Sequence, residues 1–286
     1  MSELYESGYI KHLRQIVANS LPQWGLPPAS GVSLLTVSEN ATFLVTDSQN
    51  QALCVVRVHR QHYHTLAEIE SELSWIQALR SEQVITTPRP ISLTSGGLIV
   101  SFEDGEETRH MVAFEFTPGA EPSTDQPLAT GFRQLGAITA RLHEHARKWT
   151  PPPSFIRKIW NFETTIGEAP HWGHWQHCSG LTAADKEILK DTVALIEEQL
   201  ARYGTASERF GLIHADLRLA NLLVSGDQLA VIDFDDCGMG WYVYDFAAAI
   251  SFVEEDPQIP DLLQAWLSGY RDVAELSLED EALIPT

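Results

Sequence analysis

Residues 211–246, GLIHADLRLANLLVSGDQLAVIDFDDCGMGWYVYDF, decide how this chain folds. Two apolar runs, 222–224 and 229–232, flank the turn-forming Ser225-Gly226-Asp227 and read as a short β-hairpin. A bare hairpin needs no polar residues at its ends. Here His214, Asp216 and Asn221 precede it, and Asp233, Asp235 and Asp236 follow directly. A hairpin brings its two ends together, so Asp216 and Asn221 are expected to face Asp233. Carboxylates with one neutral oxygen donor at a strand end suit Mg2+ carrying phosphate oxygens. A merely acidic, solvated hairpin would not require these residue types at fixed spacing.

The order H-x-D-x-x-x-x-N, followed about a dozen residues later by D-F, is the catalytic pattern of the protein-kinase-like fold. His214-Ala215-Asp216-Leu217, Asn221-Leu222-Leu223-Val224, Ile232-Asp233-Phe234-Asp235 and Tyr244-Asp245-Phe246-Ala247 closely resemble the aminoglycoside phosphotransferase and choline kinase family. The resemblance implies a bilobal α+β fold. Residues 1–116 would form a nucleotide-binding lobe, an antiparallel sheet with one key helix. Residues 117–286 would form a mainly helical lobe with the catalytic loop and substrate site. The resemblance further implies Asp216 as catalytic base and Asn221 with Asp233 as Mg2+ ligands. Asp235 would hold a second ion or polarise its water, and Asp245 would brace the catalytic loop. Arg218 stands where protein kinases carry a lysine and many small-molecule relatives a histidine. It would stabilise charge on the transferring group, or else be an exposed loop arginine.

In the first lobe, residues 3–24 place Leu4, Ile10, Leu13, Ile16, Val17 and Leu21 at helical spacing before Pro22. Strand-like segments follow at 32–37, 42–46 and 53–58. The resemblance puts the turn Ser38-Glu39-Asn40-Ala41 over the nucleotide phosphates. It has no glycine, so backbone N–H groups and the side chains of Ser38 and Asn40 would make the contacts; an ordinary polar turn is the alternative. The third strand departs from the family pattern. All five lysines (Lys11, Lys148, Lys158, Lys186, Lys190) lie outside residues 32–116, which leaves Arg57, between Val56 and Val58, in the phosphate-binding position. Its fork binds phosphate oxygens bidentately; a surface arginine on an edge strand is the alternative. Residues 65–80 form a helix with a Thr65/Glu68 capping box and a Leu66, Ile69, Leu73, Ile76 stripe. Glu72 lies nearer that stripe than Glu70 and is the expected partner of the strand cation; Glu70 takes the role if the helix is rotated by part of a turn. Strands at 98–102 and 110–116 flank Asp104-Gly105-Glu106. The second runs into Thr117-Pro118-Gly119, as a hinge would. The fold then implies that the backbone of Phe114, Glu115 and Phe116 pairs with adenine.

The 286 residues are 44% hydrophobic, enough for one large domain or two lobes, and carry a formal net charge of −20. Such a surface disfavours nucleic acid and anionic membrane and attracts a cationic small molecule. Cys54, Cys178 and Cys237 are far apart with no CxxC, so neither a disulfide framework nor a zinc knuckle is implied. No apolar run reaches the length of a membrane span and the N-terminus lacks a signal-peptide core, so a cytoplasmic enzyme is expected. Further helices are expected at 132–149, 182–203, 244–253 and 261–270, with another starting at Ser277. Relatives of this type often continue with further helix. His143, after Leu142, reads as structural. The segment 170–178, PHWGHWQHC, spaces its donors around a helix rather than on one face and reads as an aromatic loop. Glu254-Glu255-Asp256 is either a collar for an amine or a solvated helix end.

The resulting expectation is an ATP- and Mg2+-dependent phosphotransferase acting on a small-molecule hydroxyl: an amino alcohol, amino acid, sugar or aminoglycoside. The first rival is a protein Ser/Thr kinase of the bacterial stress-response type. About eleven residues between Asp233 and Asp245 leave it little room for a protein-substrate platform. The second rival is a nucleotide-binding pseudokinase, suggested by the missing lysine and opposed by the intact Asp216, Asn221 and Asp233.

Overall fold

Alternating apolar residues in the first part of the chain build one antiparallel sheet with a helix on each face. The computed structural model describes residues 7–286, so Leu4 and the expected start of the first helix lie outside the described residues. Helix α1 (Ser7–Ser20) runs into a 3-10 turn, Leu21–Trp24. Strands β1 (Gly31–Val37), β2 (Ala41–Thr46) and β3 (Ala52–Val58) follow, then helix α2 (Leu66–Ser81), β4 (Ile99–Asp104) and β5 (Glu107–Glu115). The sheet order is β1-β2-β3-β5-β4, antiparallel throughout. Leu13, Val17 and Leu21 pack with Phe43, Val45, Val56 and Met111 on one face. Ile69 and Leu73 of α2 cover Val112 on the other. Cys54 is buried in the first of these layers, and burial pushes its thiol up to about 12.

Helix α2 forms where its caps demand. Thr65 accepts the N–H of Glu68 at 3.3 Å while the Glu68 carboxylate accepts the N–H of Thr65 at 2.7 Å. Leu66, expected in the apolar stripe, is exposed instead. The buried stripe begins at Ile69.

The second part of the chain is mainly helical. It contains α3 (Ala129–Lys148), β6 (Ile159–Trp160), α4 (Phe162–Thr165), α5 (Ala183–Tyr203), β7 (Phe210–Ile213), β8 (Leu222–Ser225) and β9 (Gln228–Val231). After them come β10 (Gly238–Trp241), α6 (Tyr244–Ala249), α7 (Ile259–Arg271) and α8 (Leu278–Leu283). Helices α3 and α7 cross at two glycines. A Cβ on Gly136 would lie 2.0 Å from the Trp266 carbonyl oxygen, and one on Gly269 would lie 1.8 Å from that of Arg133. Strands β8 and β9 form the expected hairpin around Gly226-Asp227, with Gly226 at φ +59°. The apolar run at 244–253 is not one helix. α6 stops at Ala249, and Phe252 is 82% exposed at φ +71°, its N–H held by the Glu254 carboxylate.

Among the described residues, no helix is long and apolar enough to cross a membrane. The chain divides into two compact units. The first is Met1–Glu82, Thr86–Pro118 and Pro151–Ile156; the second is Gln83–Ile85, Gly119–Thr150 and Arg157–Thr286.

Candidate active site

In the second unit the site grows from the loop joining β7 to β8. Leu217 and Leu219 are buried, and the alternation of an extended segment turns Asp216 and Arg218 the other way, both half-buried. A 3-10 turn, Leu219–Asn221, then brings Asn221 back. Its Nδ2 donates to the Asp216 backbone oxygen at 2.9 Å and to Asp216 Oδ2 at 2.5 Å. Arg218 Nε donates to the same Oδ2 at 3.2 Å, and its guanidinium lies 5.7 Å from the Phe252 ring. The loop thus gathers Asp216, Arg218 and Asn221 around one carboxylate oxygen. The Ile232 N–H donates to Asn221 O at 2.9 Å, which puts Asp233 one residue beyond that bond, at φ +59°. Asp233 is half-buried and Asp235 is buried.

Two further groups hold the loop. Asp245, fully buried on α6, accepts the N–H of Ala215 at 2.7 Å and of His214 at 3.3 Å. These bonds offset the cost of Ala215 at φ +68°, a conformation that a residue with a Cβ rarely adopts. His143 Nε2 donates to Asp245 at 2.9 Å, and its Nδ1 accepts the Tyr270 hydroxyl at 3.0 Å. Burial holds His143 below the usual histidine range despite the opposing pull of Asp245, so it is neutral and bracing. His214 Nε2 donates to Ile232 O at 3.2 Å while its Nδ1 accepts the Asp216 N–H at 3.2 Å, tying the loop to the hairpin end.

Two contributors carried no signal in the sequence. Arg157, buried, donates to the backbone oxygens of Asp235 and Cys237 and so clamps the acidic run. Tyr244 lies where burial, then the charges of Asp216, Asp236 and Asp245, push its hydroxyl up to about 12. It directly precedes Asp245, and no local pattern marks the tyrosine. The segment 170–178 is irregular, with Trp172 and His171 packed on Trp160 at 4.9 and 5.1 Å between ring centroids.

In the first unit, Arg57 points from β3 toward α2 and donates to both oxygens of Glu72 at 2.6 Å, with both side chains buried. Glu72 is therefore the partner of the strand cation, and Glu70 is exposed. The guanidinium also lies 5.3 Å from the Phe114 ring. Ser38 is exposed, with its N–H donated to Asn40 O at 3.2 Å. Asn40 is buried and its Oδ1 accepts the Arg60 N–H at 2.9 Å. Its carboxamide oxygen fastens the end of β3, because strand ends leave backbone donors that must be satisfied. At the end of β5, the N–H of Glu115 donates to Arg89 O at 2.8 Å and that of Phe116 to Leu53 O at 3.5 Å. These two backbone donors are therefore engaged by the chain itself.

A strand cation paired with a helix glutamate in a five-stranded antiparallel sheet, and a helical unit bearing this loop and hairpin, define the protein-kinase-like fold of small-molecule phosphotransferases. The profile of the phosphotransferase enzyme family (APH) matches residues 33–276, and the chain belongs to that family. The structure of a microcompartment-associated aminopropanol kinase is similar at a TM-score of 0.88 and 42% identity, covering 95% of this chain and 84% of that one. An amicoumacin kinase of Bacillus subtilis (strain 168) is 22% identical over 289 residues, 96% of this chain and 81% of the relative. An uncharacterized protein of Synechocystis sp. (strain ATCC 27184 / PCC 6803 / Kazusa) is 26% identical over 232 residues. That match takes in 79% of this chain and 62% of the Synechocystis protein, so the chain spans less than two thirds of that relative's length.

Proposed function

We propose that the chain transfers the terminal phosphoryl group of MgATP to the hydroxyl of a small amino alcohol. The carrying observation is the Asp216 carboxylate, whose Oδ2 is fixed by Asn221 and Arg218. With one oxygen held, Oδ1 is the base that accepts the hydroxyl proton, and the loop bracing by Asp245 and His214 keeps its position. Arg218 keeps its terminal nitrogens for the transferring group while its Nε orients the base. Arg57, held by Glu72, supplies the phosphate-binding fork, which favours an active enzyme over a pseudokinase. Ser38 offers its hydroxyl to the phosphates, and the Phe114–Phe116 backbone, with Thr117, offers main-chain groups to the base.

The donor set fits a hard divalent cation. The Asn221 Nδ2 is spent on Asp216, which orients its Oδ1 as the amide's ligand, and Asp233 and Asp235 add only carboxylate oxygens. These residues would hold Mg2+, which when bound neutralises charge on the phosphates. The stretch between Asp233 and Asp245 supports a small-molecule acceptor over a protein one. Four of its residues form β10, which pairs with β7 and β6, and the few that remain are too short for an extended platform. The amino-alcohol assignment rests on the 42% identity to the aminopropanol kinase and on the net charge of −20.

The test is ADP release from MgATP with 1-amino-2-propanol, ethanolamine, homoserine or a desalted protein pool. Amino alcohols should support turnover, and Asp216→Asn should lower it by about 10²–10⁴-fold with MgATP affinity retained. Turnover with protein alone would overturn the small-molecule reading. An unaffected Asp216→Asn variant would overturn the assignment of the base.

A further inference from the structure

Helix α6 reaches the loop between β7 and β8 from both of its ends. In its first turn, Asp245 binds the N–H groups of His214 and Ala215. In the turn that follows its last residue, Ala249, the Phe252 ring centre comes to 5.7 Å from the guanidinium carbon of Arg218. Phe252 is 82% exposed and stands at φ +71°. Single exposed apolar side chains are ordinary on a protein surface. A bulky one in the left-handed region is not, because its Cβ crowds the backbone and the strain persists only where the surroundings impose it. Here they do. The Phe252 N–H donates to Glu254 Oε1 at 2.9 Å. Backbone bonds fasten the turn on either side, from Ser251 N–H to Ala248 O and from Val253 N–H to Ile250 O, both at 3.1 Å. Burial gives little return for this arrangement, since most of the ring stays in solvent. What the ring does meet is the Arg218 cation.

The shape of a guanidinium makes that contact useful. Its N–H groups all lie in one plane and are the groups that bind phosphate oxygens, whereas an aromatic face attracts the cation without taking up any of them. Arg218 Nε is spent on Asp216 Oδ2 at 3.2 Å. Among the described residues, no hydrogen bond engages its Nη1 or Nη2. An arginine held through Nε alone swivels about that one bond. A ring against the guanidinium limits the swivel and leaves both terminal nitrogens open to an anion.

We propose that Phe252 is a positioning residue for phosphoryl transfer: its ring holds the Arg218 guanidinium so that Nη1 and Nη2 meet the transferring group while Nε orients the base. This rests on the roles of Asp216 and Arg218 in the function proposed above. Glu254 acts one step further out, by keeping Phe252 in its left-handed conformation. Relieving the strain at residue 252 should therefore preserve the fold and weaken the reaction.

The experiment uses the full chain and combines turnover, unfolding and a spectroscopic signal that needs no acceptor. Glycine suits φ +71°, and Phe252→Gly removes a ring that is mostly in solvent, so the urea midpoint should equal or exceed that of the unsubstituted chain. Its kcat with an amino alcohol should fall by about two- to fivefold, with KM for MgATP unchanged, because the contact orients a group that acts on the transition state. Phe252→Tyr should recover most of that loss. In an Arg218→Met background, Phe252→Gly should have no further effect. Without any substrate, the Arg218 Nε–H resonance, identified by its disappearance in Arg218→Met, should shift in Phe252→Gly as the ring current is removed. A lower urea midpoint overturns the proposal, because the ring is then a structural prop. An unmoved Nε–H resonance overturns it too, as does an undiminished loss of kcat in the Arg218→Met background. Absence of turnover with every amino alcohol overturns the proposed function instead, and the midpoint and the Nε–H resonance then decide for Phe252.

Discussion

Glu72 in the first unit and Asp245 in the second are both fully buried carboxylates, yet they are satisfied differently. Glu72 faces the full charge of Arg57, 15 residues earlier in the sequence on the preceding element, β3. Asp245 faces dipoles: the N–H groups of His214 and Ala215, 31 and 30 residues away, and the neutral ring of His143, 102 residues away. A charge pair holds two elements together but leaves either partner exposed to the loss of the other. A carboxylate bound by backbone N–H groups holds a loop conformation, because the donors are the loop itself. The first arrangement positions a cation. The second fixes the backbone on which Asp216 stands.

The largest effect that could break this contrast is removal of one side of the pair. Glu72→Gln leaves the Arg57 charge buried and should cost about 3–5 kcal/mol. Urea unfolding would read this as a lower midpoint at constant slope. The double variant Arg57→Met/Glu72→Met should recover most of the loss, and a single-variant cost below about 1 kcal/mol would remove the charge-pair account.

A smaller effect is expected at Asp245. Asp245→Asn keeps the shape but turns an amide N–H toward a donor, which should cost about 1–3 kcal/mol. Its signature should be a fall in kcat that exceeds any change in KM, because the loop and not the binding surface is disturbed. A KM effect alone would refute the bracing role.

The smallest effect is a pH dependence. Burial depresses His143 in the folded protein, so unfolding takes up a proton once the pH falls below the ordinary histidine value of 6.5. The contribution is complete above that value and is lost on acidification, with a slope of at most about 1.4 kcal/mol per pH unit. His143→Gln should flatten the slope in unfolding experiments at successive pH values; an unchanged slope would assign the dependence to other groups.

The same contrast explains what the sequence could reveal. The strand and the capped helix were legible by local rules, whereas the pairing of Arg57 with a glutamate of that helix was implied by the family resemblance. The apolar stripe favoured Glu72 by a small margin and left Glu70 open until the structure placed the pair. The hairpin and the nearness of Asn221 to Asp216 were legible from spacing. Leu66 misled because apolar spacing marks a face of the helix but not where along it the packing begins. The apolar run after Tyr244 misled because apolarity without period does not specify a helix, and Phe252 turns out into solvent. Strands β6 and β10 have two and four residues, too few for a period. The glycines of β10 are instead set by close approach, since a Cβ on Gly238 would meet Lys158 O at 2.5 Å. The Arg157 clamp and the Tyr270 partner of His143 depend on contacts across 78 to 127 residues, which no local pattern encodes.

The cysteines have a chemical consequence. Cys54 is buried, its thiol pushed up to about 12, and Cys237 is buried as well, whereas Cys178 is exposed in the aromatic loop at 170–178. The thiolate is the nucleophile that adds to a maleimide, so at neutral pH a maleimide dye should attach at the exposed Cys178 and spare the two buried sulfurs. The native chain thus comes with a single-site handle, and a fluorophore placed there would report on that loop as candidate acceptors are added, with no substitution needed.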